Sequence, residues 1–338
     1  MINIGVIGLG SMGGTHIEAY QKIEGCRVVA VADADEQRRT GAARAGGNIE
    51  GQGNSGFDFD RVTQYADAAE LIADPAVDLV DICLPTPLHK RFSIAALEAG
   101  KHLLVEKPLA RTAEDAEAIV AAAEKAKGLA MCAMCMRLWP GWDWLKGAVD
   151  SGRFGPVLGA QFRRVTSMPE GGFYADGAQS GGALLDLHIH DTDFVRHVFG
   201  APRAVFSRGY SHGTSATDHV VTQYLFEGDA APAVVAEGGW SMRPGFGFEM
   251  QYCVNFERAT AVFDINREPV LTLIEDGTEP QAVDLPAGLG YDHELAYLID
   301  CIQRGAAPEV VTLKDAAAAL RIIEAEARSI ASGEVETI

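Results

Sequence analysis

Residues 2–20 read INIGVIGLGSMGGTHIEAY. A short apolar run, Ile2 to Ile7, leads into Gly8-Leu-Gly10-Ser-Met-Gly13, and a helix-compatible segment follows. GxGxxG alone says little, because glycine-rich turns are common. Its neighbours give it meaning. The apolar run reads as a strand, and a second one, Arg27-Val-Val-Ala-Val-Ala-Asp33, ends in an acid 20 residues after Gly13. Strand, glycine turn, helix, strand and acid together form a dinucleotide-binding fingerprint. Gly8 makes the tight turn and Gly10 lets a pyrophosphate approach the backbone. Gly13 lets helix and strand pack closely, and Ser11 and Met12 open a helix whose N-terminus receives the negative charge. Asp33 is expected to accept hydrogen bonds from the adenosine ribose hydroxyls and to repel a 2′-phosphate, which favours NAD over NADP. Arg38 or Arg39 could bind such a phosphate instead, and a solvated acid or helix N-cap is the other reading of Asp33.

Outward from this stretch, residues 46–56 (GGNIEGQGNSG) form a polar loop without periodicity. Alternation then resumes: DLVDICLP (78–85) as a buried strand, LHKRFSIAALEAG (88–100) as a helix closed by Gly100, HLLVE (102–106) as a strand, and a helix over 112–127. Strands alternating with helices of this length predict a parallel, doubly wound sheet. Ligands on such sheets sit beyond the strand C-termini. Pro85, Thr86, Pro87, His89, Glu106 and Lys107 fall there, as do the glycine loop and Asp33, which makes them cofactor-site candidates.

The 338 residues suit two domains, with 48% hydrophobic and 22% charged residues typical of a globular protein. A formal charge of −19 and a sequence pI near 4.8 argue against nucleic acid and against anionic membrane surfaces as partners. Apolar runs fall short of the roughly 20 residues that span a bilayer, and no cationic signal-peptide start is present. Six cysteines are too sparse for a disulfide framework, and a reducing cytoplasm fits. Cys132-Ala-Met-Cys135 matches CxxC, but no second pair or histidine pair follows, so LAMCAMCM (129–136) reads as a buried strand with two buried thiols.

The densest polar stretch is LLDLHIHDTD, residues 184–193. As a strand it would aim Asp186, His188 and His190 to one side, a credible three-ligand metal face. As a helix it would put Asp186 and His190 one turn apart on a shared face and turn His188 away. Leu184, Leu187, Phe194, Val195 and Val198 recur at near-helical spacing, and Gly200 with Pro202 supplies a stop, so a helix and no metal are expected. A carboxylate beside an imidazole stabilises its cationic form, and a positioned histidine can take the hydroxyl proton of an alcohol that loses a hydride. Asp191 and Asp193 read as helix charges, and His188 as either a pocket-wall donor or a packing residue. Among Trp139, Trp142 and Trp144, core or interface roles are expected, with sugar stacking also open for Trp142.

With GLGSMG (8–13), LPTPLH (84–89), GKHLLVEKPLA (100–110), Arg137, SGRFGPV (151–157) and SGGALLDLHIHDTDFVRHVFG (180–200) in view, the chain resembles the glucose-fructose oxidoreductase, inositol dehydrogenase and rhizopine-catabolism family. ELAYLIDCIQRG (294–305) and ALRIIEAEARSIASG (319–333) extend the likeness nearly end to end. The resemblance implies a Rossmann domain, a second α/β domain with a large, mostly antiparallel sheet, a nicotinamide cofactor and a sugar or cyclitol substrate. It also implies that His190 is the general base, Asp186 its partner and a substrate contact, and Lys107 a cation that lowers the hydroxyl pKa, with a cis peptide before Pro108. His188 departs from the family, which often has glycine there. Arg137 is a further substrate-site candidate, with packing as the alternative.

The second half agrees with this expectation. Short β-rich segments near 157–165, 203–210, 219–226, 233–240, 250–257, 259–266 and 269–275, split by turns such as Asp276-Gly277, suggest antiparallel hairpins. Residues 1–125 are assigned to the dinucleotide-binding domain and 126–338 to substrate binding and oligomerisation. An open sheet needs a cover on both faces, so a homodimer or homotetramer is expected. The leading function is NAD-dependent oxidation of a secondary hydroxyl of a sugar, cyclitol or polyol. The alternatives are an NAD-retaining glycosidase of the same fold and a non-catalytic nucleotide-sensing regulator. Loop 166–180 (TSMPEGGFYADGAQS) carries no readable substrate code.

Overall fold

The computed structural model describes residues 1–43, 56–228 and 230–338. The glycine-rich stretch 46–56 lies, apart from Gly56, outside the described residues. The chain divides into two compact units. One is Met1–Cys135 with Gly288–Ala317, the other Met136–Ala287 with Ala318–Ile338.

In the first unit, β1 (Ile2–Ile7), β2 (Cys26–Ala32), β3 (Thr63–Tyr65), β4 (Leu79–Ile82), β5 (His102–Glu106) and β6 (Ala130–Ala133) form one parallel sheet. Its order is β3-β2-β1-β4-β5-β6. Parallel strands covered on both faces read as continuous apolar runs, and Ile4, Val6, Leu79, Val80, Leu103 and Leu104 are all fully buried. The order reverses between β1 and β4, which is where a doubly wound sheet opens a crevice at its C-terminal edge. The glycine loop leaves β1 at that edge and residues 84–89 leave β4 there. Helices Ser11–Tyr20, His89–Glu98 and Ala113–Ala123 follow strands as expected. Gly100, at φ +76°, ends the second of them, and Thr112 caps the third by accepting the N–H of Asp115 at 3.1 Å. Helix Gly290–Arg304 returns to this unit from late in the sequence and packs on helix Ser11–Tyr20.

The second unit is built on a mixed sheet of β7 (Val157–Ser167), β8 (Ala204–Tyr210), β9 (His219–Leu225), β10 (Ala233–Met242), β11 (Phe248–Phe256), β12 (Ala259–Asp264), β13 (Leu271–Glu275), β14 (Gln281–Ala282) and β15 (Glu336–Thr337). The order is β14-β13-β12-β11-β7-β10-β9-β8-β15. Every pair is antiparallel except β7 with β10. Side chains alternate between faces. One face carries Phe162, Tyr252 and Phe263, which surround Trp142 together with Phe194 at ring distances of 4.8 to 6.0 Å. Trp142 is fully buried, so it is a core residue. The opposite face carries a partly exposed polar group in which Arg163 pairs with Glu237 and Glu249, and His219 with Glu237.

Candidate active site

In the first unit the turn after β1 is tight and closely packed. Gly8 has φ +91°, and a Cβ there would meet the Cys83 carbonyl at 2.5 Å. A Cβ on Gly13 would come within 2.0 Å of the Gly8 carbonyl, so only glycine lets helix and turn approach. Around Gly10 nothing lies within 4 Å of a built Cβ, leaving open space beside the helix N-terminus. Ser11 and Met12 form the first turn, whose N–H groups have no intrahelical acceptor. These features fit a pyrophosphate.

Asp33 sits just beyond β2 with its carboxylate held in place. Oδ2 accepts the N–H of Leu9 at 2.8 Å and Oδ1 that of Asp35 at 2.9 Å. Arg39 donates to the carbonyls of Asp33 at 2.6 Å and Ala34 at 3.1 Å, which commits its guanidinium to the backbone. Arg38 stays half-exposed, 3.9 Å from Asp33 and 3.7 Å from Asp35.

Beyond β4, Pro85 is exposed and Thr86 buried. His89 is buried, with its two ring nitrogens 2.7 Å from the Leu84 carbonyl and 2.8 Å from the Pro108 carbonyl. Burial lowers its pKa, although the two carbonyl bonds work the other way. It braces the loop against the segment after β5. There the Lys107–Pro108 peptide is cis. Glu106 is buried: one oxygen accepts the N–H of Lys107 at 2.9 Å and the other lies 3.1 Å from His16. Lys107 itself is half-buried.

In the second unit the stretch 182–199 is helical but broken. Gly182–Asp186 is one helix and Ile189–Phe199 the next, with Leu187 and His188 between them. The N–H of His188 reaches back five residues to the Ala183 carbonyl at 2.8 Å, a wide turn of the kind often found at functional sites. The one-turn relation of Asp186 to His190 on an uninterrupted helix is therefore corrected: they flank the wide turn. Both are half-buried, whereas His188 is fully buried, its ring against Gly238 in β10. Only glycine fits there, since a Cβ would meet the imidazole at 2.5 Å. His188 is thus a packing residue. Its Nε2 lies 3.3 Å from the Tyr224 hydroxyl and 3.5 Å from Glu326. Burial, with the nearby Arg164, pushes its pKa down to about 3.

Asp191 and Asp193 are not solvated helix charges. Asp191 accepts from Arg164 at 2.9 and 3.3 Å, and Asp193 from Arg137 at 2.6 and 2.8 Å, all four residues being buried. The Arg137 fork is engaged edge-on by a carboxylate of its own unit.

A profile described as "Oxidoreductase family, NAD-binding Rossmann fold" matches residues 2–134, and one described as "GFO/IDH/MocA C-terminal domain" matches 142–262. The chain belongs to the GFO/IDH/MocA oxidoreductase family. Its first unit is the family's NAD-binding Rossmann domain. This GFO/IDH/MocA chain is similar over its full length to Inositol 2-dehydrogenase 2 of Saccharopolyspora erythraea, with 29% identity covering 95% of that protein. It is 26% identical over 98% of its length to the scyllo-inositol 2-dehydrogenase (NAD(+)) of Bacillus subtilis, again covering 95% of the relative. Higher identities run over shorter segments. They are 34% with an uncharacterized oxidoreductase of Rhizobium meliloti, of which 59% is covered, and 41% with Inositol 2-dehydrogenase 1 of S. erythraea, of which 44% is covered. A levoglucosan dehydrogenase solved with NADH and levoglucosan shares the fold, with a TM-score of 0.85 at 22% identity over 100% of this chain and 99% of the other.

Several site-linked residues have no motif to mark them. Asp81, Glu106 and Glu294 gather around His16, and Tyr224, Thr192 and Glu326 around His188. The available signal is a polar residue on an apolar helical stripe: Glu294 among Leu295, Leu298 and Ile299, and Glu326 among Ile322, Ile323 and Ile330.

Proposed function

We propose that this protein is an NAD-dependent dehydrogenase that oxidises a secondary hydroxyl of a sugar, cyclitol or related polyol. The observation that carries the reading is the glycine cradle, with Gly8, Gly10 and Gly13 each in the role a pyrophosphate site demands and Asp33 anchored at the end of β2. The named full-length relatives, both inositol dehydrogenases, support the substrate class. A nicotinamide cofactor, held by the glycine loop and Asp33, would supply the hydride acceptor for the alcohol carbon. The chain's residues do the remaining work. His190 takes the hydroxyl proton, and Asp186 stabilises the charged ring and contacts substrate hydroxyls. By the family resemblance, Lys107 is the cation that lowers the cost of losing that proton. Both His190 and Asp186 keep partial access to solvent amid buried neighbours, as groups that meet a small molecule must.

A panel of cyclitols, sugars and polyols, followed by NADH absorbance, tests the reaction. Steady release of free NADH supports a dehydrogenase, whereas glycoside cleavage without NADH release, or no turnover at all, refutes it. Among the described residues no helix is long and apolar enough to cross a membrane. We place the enzyme in the cytoplasm, with the polar face around Arg163, Glu237 and Glu249 covered by a second copy. Light scattering that finds a stable monomer at micromolar concentration would refute the assembly.

A further inference from the structure

The first unit holds a buried polar cluster for which nucleotide binding has no use. His16 comes from helix Ser11–Tyr20, Asp81 from β4, Glu106 from the end of β5 and Glu294 from helix Gly290–Arg304, and none is more than 5% exposed. His16 Nδ1 is 2.8 Å from Asp81 Oδ2, and Nε2 is 3.1 Å from Glu106 Oε1. The second contact is an ion pair rather than a well-directed hydrogen bond. The Tyr20 hydroxyl donates to the same Asp81 oxygen at 3.0 Å, and Cys83 Sγ lies 3.4 Å from Nδ1. Glu106 uses its other oxygen to hold the backbone N–H of Lys107 at 2.9 Å.

An imidazole pinched between two carboxylates holds its proton. Burial is the largest single influence and works against the charge, but the contacts to Asp81 and Cys83 together outweigh it, and the His16 pKa stands well above the ordinary value. Glu294 differs from the other two acids. Both of its oxygens are buried without a hydrogen-bond partner. Burial first, then the negative charge of Glu106, keeps this carboxyl protonated well above its ordinary pKa. It sits beside the cluster as a neutral group, and the paired part is Asp81–His16–Glu106. That part ends on one target, the main chain of Lys107.

We infer that His16 is a positioning residue for Lys107: its charged ring is a clamp that ties Glu106, through the two ring nitrogens, to Asp81 on the far side, and Glu106 fixes the backbone from which the lysine projects. The inference rests on the reading of Lys107 given above. Nothing is transferred along the clamp. Its effect is geometric, and small misplacements of a reacting group are expensive. It is also electrostatic, because without the ring Asp81 and Glu106 stay buried with no cation between them.

His16→Gln tests this, with Lys107→Met as the reference. His16→Gln should lower kcat roughly 10- to 100-fold while the Kd for NADH stays within about threefold of the parent, because the glycine loop and Asp33 are untouched. It should also gain a limb absent from the parent, with kcat falling as pH rises and the buried Glu106, left without its cationic partner, ionises uncompensated. A purely structural histidine would lower the unfolding temperature without adding that limb. Should His16→Gln fail to fold, Glu106→Gln serves, since its amide cannot both accept from Lys107 and face the charged ring, and the same loss of kcat is expected. A parent-like kcat and pH profile in either variant overturns the clamp. So does a stoichiometric divalent metal in the purified protein that His16→Gln releases. Full activity in Lys107→Met instead overturns the reading of Lys107, and the clamp with it.

Discussion

Replacing Asp33 by Ser should erode the discrimination between the two nicotinamide cofactors, and the structure sets the size of the effect. The carboxylate cannot swing away, because Leu9 and Asp35 hold one oxygen each at 2.8 and 2.9 Å. A 2′-phosphate brings a charge of about −1.5 to −2 at neutral pH. At about 4 Å in water-like surroundings, one pair of unit charges repels by about 1 kcal/mol, so the penalty on NADPH is about 1.5 to 2 kcal/mol. That corresponds to roughly 10- to 30-fold in affinity. Arg38, half-exposed and 3.9 Å from the carboxylate, offsets part of it and keeps the expected gap towards the lower end. Fluorescence titration with NADH and NADPH measures the gap without knowledge of the substrate. The parent should bind NADH at least about tenfold more tightly, and Asp33→Ser should bring the two Kd values together, mainly by tightening NADPH. About 1 M salt shortens the screening length to about 3 Å and should shrink the parent's preference. Equal affinities in the parent would refute the reasoning and assign Arg38 to the phosphate.

Two further perturbations follow from the second unit. His190→Ala should lower turnover by roughly 10² to 10⁴, the usual worth of a general base, and flatten the rise of oxidation rate with pH, while NADH binding persists; a variant that keeps both rate and pH profile would remove His190 from the chemistry. Glu326→Gln should flatten the alkaline side of the stability curve. Burial pushes the Glu326 carboxyl up to about 8 from 4.5, so the stability it contributes is fully present below 4.5 and lost as pH rises through about 8, a span worth at most about 5 kcal/mol. Unfolding temperatures that fall in parallel for parent and Glu326→Gln between pH 5 and 9 would refute it.

Much of this site is visible in the sequence because its parts are local. The glycine turn, the strand before it and the acid at the end of the next strand occupy 32 consecutive residues, Ile2 to Asp33, and the backbone enforces their relation. The sheet of the second unit is legible for a similar reason, since period-two burial is written into each strand separately. What escapes a local reading is the fate of polar groups whose partners lie far along the chain. Leu184, Leu187, Phe194 and Val198 keep near-helical spacing through the wide turn at His188, because one extra residue barely disturbs so short a pattern. The break is decided elsewhere, by Gly238, whose missing Cβ makes room for the imidazole 50 positions earlier. Asp191 and Asp193 look like solvated helix charges until Arg164 and Arg137 are brought beside them. A charge can be buried only where a partner or a proton compensates it. Burial of an acid therefore cannot be read from the acid alone, although Glu294 and Glu326 show where to look. Each stands on a stripe that helical periodicity sends inward, and each meets that requirement by holding its proton. A carboxylate in such a position is a conflict within its own helix, and both conflicts lie beside candidate site residues, Glu294 next to the Lys107 support and Glu326 next to the turn that carries Asp186 and His190.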